Sequence, residues 1–254
     1  MTEATPVVEF SNVSYVLPDG RRILQELTFG ARRGEILVLL GRSGSGKTTA
    51  LKLINRLLEV SSGQLRVEGR STKDWNVIEL RRHIGYAIQE VGLFPHHTVG
   101  RNIALVPSVQ NWRKEKIAVR VQELLRLVGL SPEIAARYPH QLSGGQRQRV
   151  GVARALAADP PILLMDEPFG ALDPLTRADL QREFLSLQQQ LGKTVLFVTH
   201  DLHEALRLGS RIALLEEGRL VSLTSANKFL TSSEPLVKKY VDAFGTNDRQ
   251  PEKP

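Results

Sequence analysis

Apolar and polar residues alternate or cluster along this chain in patterns that predict both strands and helices. Residues 7–29 alternate on either side of Pro18-Asp19-Gly20, which predicts two antiparallel strands joined by a turn. Other segments are short runs bounded by glycine, proline or polar residues, as expected for buried strands. The continuous apolar runs lie at residues 35–40, 161–166 and 194–198, and further strand-like segments at 64–67, 84–88 and 211–215.

Helical spacing of apolar residues follows several of these strands. It predicts helices over residues 47–58 and 180–191, the second ending at Gly192. Residues 99–158 are dominated by helical spacing and interrupted by prolines and glycines. Alternating strands and helices favour an α/β fold with a mainly parallel sheet. We predict a single domain over 1–254, with a core at about 5–90 and 159–245, an inserted helical subdomain at about 91–158, an N-terminal antiparallel β-subdomain and a flexible tail at 246–254.

Composition narrows the class of protein only a little. The formal net charge is +7, but the basic residues are dispersed, so we read them as a solvated surface and expect no nucleic-acid partner. There are no cysteines, which excludes disulfides and cysteine-based zinc sites and fits a reducing cytoplasm. No apolar run is long enough to span a membrane, and the N-terminus does not resemble a secretory signal.

A glycine-rich segment between the strand at 35–40 and the helix at 47–58 carries the first chemical signal. Its glycines let backbone N–H groups approach phosphate oxygens, and the helix adds its positive N-terminal end. Lys47 is expected to reach the β- and γ-phosphates, and the Thr48 hydroxyl to bind Mg²⁺. The alternative is a structural glycine-rich turn, which the strand–loop–helix context disfavours. The segment reads Gly41, Arg42, Ser43, Gly44, Ser45, Gly46, Lys47, Thr48, followed by Thr49.

Polar residues follow three of the predicted strands directly. Asp166 and Glu167 end the run at 161–166, where a parallel sheet forms its ligand crevice. Asp166 is placed to hold Mg²⁺ through a water molecule, and Glu167 to orient or deprotonate the attacking water. An acidic turn before a proline is the alternative. His200 and Gln89 follow the strands at 194–198 and 84–88, and His200 is expected to contact the γ-phosphate.

A second glycine pair lies about a hundred residues after the first loop, in Leu142-Ser143-Gly144-Gly145-Gln146. Ser143 and Gln146 have capping-box spacing, so this segment is also expected to start a helix. The two interpretations are compatible, because a helix N-terminus preceded by glycines offers N–H groups to an anion. Since one phosphate loop already exists, we predict that this second site serves the nucleotide of a second chain.

Together these residues resemble the ATP-binding-cassette transporter ATPases over residues 7–244. The chain has the family's Walker A loop, Q-loop glutamine, signature motif, Walker B strand, D-loop (Ala171-Leu172-Asp173) and switch histidine, in family order. The resemblance implies a P-loop NTPase core and a tyrosine, Tyr15 rather than Phe10, stacked on adenine. It implies catalytic roles for Glu167, His200 and Gln89, Mg²⁺ ligands Thr48, Gln89 and Asp166, ATP binding by residues 41–49, and contact with the partner's ATP by Ser143, Gly144, Gly145, Gln146 and Asp173.

The family resemblance also implies partners. Two copies would sandwich two ATP molecules head to tail and drive integral membrane permease subunits at the cytoplasmic face of the inner membrane, with residues 90–138 contacting the permease. Tyr138-Pro139-His140-Gln141 resembles bacterial importers rather than exporters. Residues 52–57, 88–96, 102–107 and 168–173 look like the glycine betaine, carnitine and choline importers, which also use a solute-binding protein. The regulatory cystathionine-β-synthase domains of many such ATPases are expected to be missing after Pro254. An importer for amino acids or another small solute, a soluble cassette protein and a lone regulatory module are the alternatives.

Overall fold

The computed structural model describes residues 6–89, 91–170 and 172–245, and the chain divides into two compact units. The first unit comprises Met1–Asp74 and Leu196–Pro254, and the second comprises Trp75–Val195. The predicted flexible tail at 246–254 lies outside the described residues, as do Glu90 and the D-loop residue Ala171.

The N-terminal part of the first unit is mostly strand. Its elements are β1 (Val8–Val16), β2 (Arg22–Ala31), β3 (Ile36–Leu40), α1 (Lys47–Ile54), β4 (Ser62–Val67) and β5 (Arg70–Ser71). One sheet has the order β2-β1-β4-β5 with antiparallel pairing throughout. Phe10 on β1 stands opposite Phe29 on β2, and their buried rings stack with centroids 4.4 Å apart. The predicted N-terminal antiparallel β-subdomain is therefore confirmed.

Helix α1 is shorter than the periodicity predicted. It ends at Ile54 rather than at residue 58, because Asn55 leaves helical geometry and Arg56 adopts a left-handed φ of 52°. The Asn55 side chain closes this turn by accepting the Leu57 N–H at 3.2 Å. Leu57 is left about half exposed as a result.

The second unit places most of its helices around a parallel pair of strands. Its elements are α2 (Val77–His83), β6 (Ile84–Ala87), α3 (Val99–Ile103), α4 (Leu105–Val109), α5 (Lys114–Leu127), α6 (Gly144–Leu156), β7 (Ile162–Asp166) and α7 (Pro174–Leu191). β6 and β7 pair in parallel from Ile84 opposite Ile162 to Ala87 opposite Met165, and every residue of β7 is buried. Within residues 91–158, the described part of the chain is helical or irregular and holds no strand. The exact boundaries of the core and the helical subdomain stay predictions.

Helix α7 begins earlier than predicted, at Pro174 rather than at residue 180. Asp173 caps it by accepting the Thr176 N–H at 3.1 Å, and proline suits the first helical position because it has no N–H to leave unpaired. The helix ends at Gly192, which has a left-handed φ of 60° as a glycine stop requires. The end was predicted correctly, whereas the start was obscured by the D-loop residues.

The C-terminal part of the chain returns to the first unit. Its elements are β8 (Thr194–Thr199), of which residues 196–199 belong to the first unit, α8 (Leu202–Leu208), β9 (Arg211–Glu216), β10 (Arg219–Ser225), α9 (Ala226–Phe229) and α10 (Pro235–Gly245). β3 pairs with β9 in parallel, and β10 adds an antiparallel edge to β9. Among the described residues, no helix is both long and apolar enough to cross a membrane.

Candidate functional site

The glycine-rich segment forms a loop between β3 and α1 in the first unit. All of β3 is buried, so it fixes the start of the loop at Gly41. Gly44 and Gly46 have positive φ angles of 83° and 97°, and Gly46 is the N-cap of α1 with no side-chain capping bond. A Cβ on Gly46 would come within 2.4 Å of the Leu24 Cδ2 atom, so only glycine fits both the backbone and the packing.

Lys47 is folded into this loop and is 4 % exposed. Its Nζ donates hydrogen bonds to the carbonyl oxygens of Gly41 at 2.8 Å and Arg42 at 2.7 Å. The Arg42 carbonyl also accepts the Ser45 N–H at 3.2 Å, so the turn is closed around the ammonium group. A buried ammonium at the start of a helix is a strong attraction for a phosphate, because the helix dipole has the same sign there.

Two other predicted nucleotide contacts lie near this loop in the first unit. Tyr15 is half-buried on β1, opposite Leu24, the residue that packs against Gly46. His200 is exposed and follows β8, which is the sheet neighbour of β3. The turn carrying His200 is held by the buried Thr199 hydroxyl, which donates to the Glu204 carboxylate at 2.6 Å. The first unit thus brings the predicted phosphate, adenine and switch residues into one region.

Asp166 ends β7 in the second unit and is 3 % exposed. The Tyr86 hydroxyl on the neighbouring strand β6 donates to Asp166 Oδ2 at 3.4 Å. Burial, then the Asp166 charge, raise the pKa of Tyr86, so this tyrosine stays a donor to the carboxylate. Sequence reasoning missed Tyr86. The only available signal was its place in the strand predicted at residues 84–88.

Glu167 follows Asp166 and has a left-handed φ of 45°. Its carboxylate Oε2 accepts a hydrogen bond from Gln89 Nε2 at 3.2 Å, so the residues that follow β6 and β7 meet. Positive φ at a glutamate is strained, and strain of this kind is concentrated at functional sites. The structure therefore brings together the predicted catalytic residues Glu167 and Gln89.

The signature segment starts helix α6 as the capping-box spacing predicted. Ser143 Oγ accepts the Gln146 N–H at 3.2 Å, and Gln146 Oε1 accepts the Ser143 N–H at 3.1 Å. Leu142 is buried, whereas Ser143 and Gly144 are exposed. The apolar residue anchors the segment and the polar ones face outward, where another molecule can reach them.

The starts of α6 and α7 lie next to each other in the second unit. A Cβ on Gly145 would come within 3.2 Å of Leu172 and 3.4 Å of Thr176, so the glycine permits this close approach. Hydrogen bonds from Thr176 lower the pKa of Asp173, which keeps its exposed side chain ionised as the α7 cap. Leu175 beside it is 80 % exposed. Of the residues predicted to contact a partner's nucleotide, Ser143, Gly144 and Asp173 are exposed, and Gly145 and Gln146 are partly exposed.

The residues predicted as Mg²⁺ ligands have suitable chemistry. Magnesium is usually held by one or two carboxylates, with water and substrate phosphates completing its shell. Asp166 supplies a buried carboxylate and Thr48 a hydroxyl, and Gln89 keeps its amide oxygen for a ligand while its Nε2 donates to Glu167. In the described part of the chain, no three His, Cys, Asp or Glu side chains form a metal-binding group. Taken one by one, these oxygen donors are chemically suited to a metal that arrives with a nucleotide.

A phosphate loop after a buried strand, an acidic pair ending a parallel strand and a second capped glycine motif define a P-loop nucleotide-binding protein. The family model described as "ABC transporter" matches residues 24–170. The chain belongs to the ABC transporter family, and the family resemblance and the fold class predicted from its motifs are confirmed.

Similar curated proteins are transport ATP-binding proteins. The glycine betaine/carnitine/choline transport ATP-binding protein OpuCA of Bacillus subtilis is 46% identical over 243 residues, which are 96% of this chain and 63% of the relative. The glycine betaine uptake system ATP-binding protein YehX of Escherichia coli is 51% identical over 225 residues, 89% of this chain and 73% of the relative. The chain spans somewhat less than two thirds of the OpuCA relative.

Solved structures confirm the fold. The dimeric structure of the bacterial ABC transporter cassette MJ0796 has a TM-score of 0.78 and 34% sequence identity, and the match covers 86% of this chain and 98% of that one. A post-hydrolysis state of the same cassette, bound to ADP and Pi, matches equally well. None of these comparisons tests the individual site residues, whose roles stay predictions.

Proposed function

We propose that this chain binds and hydrolyses ATP as a subunit of an importer for a quaternary-amine osmoprotectant such as glycine betaine, carnitine or choline. The observation that carries the hydrolytic part is the hydrogen bond from Gln89 to Glu167 beside buried Asp166. The bonded Glu167 is a carboxylate able to orient or deprotonate water, and it directly follows Asp166, whose carboxylate is suited to Mg²⁺. The relatives' transport names support the proposed cargo.

In the proposed reaction, each of the predicted site residues has a separate role. The loop N–H groups and Lys47 bind the β- and γ-phosphates, and Tyr15 stacks on adenine. Glu167, held by Gln89, orients the attacking water, and His200 contacts the γ-phosphate. Mg²⁺, when bound by Thr48, Gln89 and Asp166, neutralises the phosphate charge.

We also propose that the working unit is a dimer in which the partner's ATP meets Ser143, Gly144, Gly145, Gln146 and Asp173. The exposure of Ser143, Gly144 and Asp173 leaves these residues open to a second molecule, which supports a partner there. ATP binding would favour the closed dimer, and hydrolysis would release it, so nucleotide affinity supplies the free energy of the conformational change. The dimeric state of the MJ0796 cassette is consistent with this assembly.

Substitution of Glu167 by glutamine tests the hydrolytic part. We expect Glu167→Gln to lower the ATPase rate by about 100-fold or more while keeping ATP affinity, because the amide preserves shape but cannot act as a base. Size-exclusion chromatography with Mg-ATP should show a trapped dimer. Glu133→Gln, which removes the same charge from an exposed residue, is the control. A wild-type rate for Glu167→Gln would refute its catalytic role.

Contact with the permease is proposed for residues 90–138. A groove of about 330 Å³ in the second unit is lined in part by Phe94, Leu105 and Val106 of this segment, which supports a docking position there. The natural chain has no cysteine, so Phe94→Cys would give a single crosslinking position, with Asp19→Cys on the β1–β2 turn as control. In the assembled transporter, we expect permease crosslinks from position 94. Crosslinks from position 19 alone would reject the assignment.

The cargo is tested by transport itself. In a strain lacking the chain, we expect the wild-type gene to restore uptake of labelled glycine betaine, choline or carnitine, and Glu167→Gln not to restore it. Restored uptake of labelled amino acids instead would overturn the osmoprotectant assignment while leaving the ATPase assignment intact.

A further inference from the structure

The loop that follows Gln89 is fixed to helix α6 by one arginine. Arg154 Nη2 donates to the Val91 carbonyl at 2.6 Å, and Nη1 donates to the Gly92 carbonyl at 2.8 Å. Both are short, charge-assisted hydrogen bonds from a planar fork that lysine cannot reproduce. The side chain is partly buried, and burial lowers the pKa of Arg154, although an arginine still carries its proton.

A second contact between α6 and the same loop involves no charge. A Cβ placed on Gly151 would lie 2.7 Å from Val91 Cγ1, so the helix backbone packs directly against the valine. Glycine is a poor residue for a helix interior, and this close packing supplies a physical reason for it. Val91 has little room to turn away, because it is β-branched and its carbonyl is held by Arg154.

These contacts link two predicted functional positions through one helix. Gln89 lies two positions before Val91, with Glu90 between them outside the described residues, and donates to the Glu167 carboxylate at 3.2 Å. The other end of α6 is Ser143, about 16 Å from Arg154 at roughly 1.5 Å per helical residue. A rigid helix therefore joins the proposed partner-facing motif to the loop that holds the chain's own catalytic glutamate in place.

We propose that Arg154 is a positioning residue for ATP hydrolysis, which fixes the Gln89 loop to α6 so that engagement of Ser143 by a partner's nucleotide aligns Gln89 and Glu167. The inference rests on the proposed roles of these three residues. Arg154 contacts no reacting atom, so it acts through Gln89. The two ATP sites of a dimer would communicate through this helix.

The chain offers a matched control for the arginine. Arg120 also binds two backbone carbonyls of α6, with Nη2 donating to Leu156 at 3.0 Å and Nε to Ala157 at 3.3 Å. Arg120 lies on α5 and contacts the C-terminal end of α6 rather than the Gln89 loop. Arg120→Lys therefore removes a comparable pair of arginine hydrogen bonds to α6 without affecting the proposed link.

The first experiment compares Arg154→Lys with Arg120→Lys in the full chain. We expect Arg154→Lys to lower kcat by about tenfold or more, since small misplacement of a catalytic group is costly, with the ATP Kd changed less than about twofold. Arg120→Lys should keep kcat within about twofold. Equal loss in both variants, or loss of ATP binding in step with kcat, would show that Arg154 has only a structural role.

The second experiment displaces the Gln89 loop without changing a charged residue. It tests the proposed link between α6 and this loop even if Arg154→Lys does not fold. Gly151→Ala should lower kcat because its Cβ pushes on Val91, while the Tm should change little, because the gain in helix propensity offsets the strain at that contact. Adding Val91→Ala should restore kcat to within about threefold of wild type, and Val91→Ala alone should be near wild type. Failure of this rescue would overturn the link.

A double-mutant cycle with Gln89→Ala separates this inference from the proposed function. If Arg154 acts through Gln89, Arg154→Lys should add no further loss in the Gln89→Ala background, whereas independent effects would add. A wild-type rate for Gln89→Ala would refute the proposed role of Gln89, and the inference with it. An impaired Gln89→Ala combined with an additive Arg154→Lys would refute only the inference.

Discussion

Two helices of this chain begin beside glycines, and their N-termini are built differently. Helix α1 starts at Gly46 in a left-handed conformation with no side-chain cap, and buried Lys47 follows it. Helix α6 starts at exposed Ser143, whose capping box with Gln146 satisfies the helix end within the chain. The first start gathers positive charge in an enclosed loop. The second is capped within the chain, and its exposed Arg147 donates to the Leu142 carbonyl at 2.7 Å.

The difference indicates how each site binds. A loop with a buried ammonium and glycine backbone can hold a phosphate by itself. A capped, exposed start whose Arg147 already donates to the Leu142 carbonyl offers weaker attraction, so we expect it to contribute when a second molecule brings the nucleotide to it. We therefore expect ATP affinity to depend on α1. We expect hydrolysis that requires a second chain to depend on α6.

The largest expected effect falls on α1. Lys47→Ala removes the ammonium that organises the loop carbonyls and is proposed to meet the β- and γ-phosphates. We expect ATP affinity to fall by about 100-fold or more, equivalent to about 2.7 kcal/mol, as measured by nucleotide titration. Lys52→Ala, on the same helix but away from the loop, should bind normally. Normal binding by Lys47→Ala would contradict the division between the two helix starts.

The next effect should appear only in hydrolysis. Ser143→Arg puts a large cation where the partner's nucleotide is expected, and should leave the ATP affinity of the monomer unchanged while lowering the ATPase rate by about 100-fold or more. Nucleotide titration at low protein concentration and steady-state kinetics separate the two quantities. A purified dimer of this variant with normal hydrolysis would show that α6 does not act across an interface.

The N-termini of these two helices were also the parts of the fold most easily predicted from the sequence. Glycine, lysine and capping residues determine the local structure there without help from distant parts of the chain. The parts that sequence reasoning missed depend on long-range packing or on tight turns. Strand β10 was missed because Glu217 and Gly218, with φ angles of 48° and 76°, join it to β9 with almost no loop. Tyr86 and Arg154 act through partners far along the chain, which no local pattern indicates.

The same reasoning explains why the meeting of Gln89 with Glu167 was only partly predictable. The positions after two strands were expected to share one edge of a parallel sheet. Their actual hydrogen bond depends on the left-handed backbone at Glu167, which a glutamate has no intrinsic preference for. Sequence thus located the region, and tertiary packing determined the geometry within it.

The smallest expected effect is on stability. It compares the free energies of unfolding of alanine variants at Gly46, beside α1, and at Gly144, in the first turn of α6. Gly46→Ala combines a φ of 97° with a Cβ 2.4 Å from Leu24 Cδ2, and should lower the free energy of unfolding by about 2 kcal/mol. Gly144→Ala should change it by less than about 0.5 kcal/mol, because its nearest contact would be Arg147 Nη2 at 3.9 Å. Urea denaturation measures both. Equal losses would mean that α6 is as tightly constrained as α1, and the proposal that its exposed start remains available to a second chain's nucleotide would lose this support.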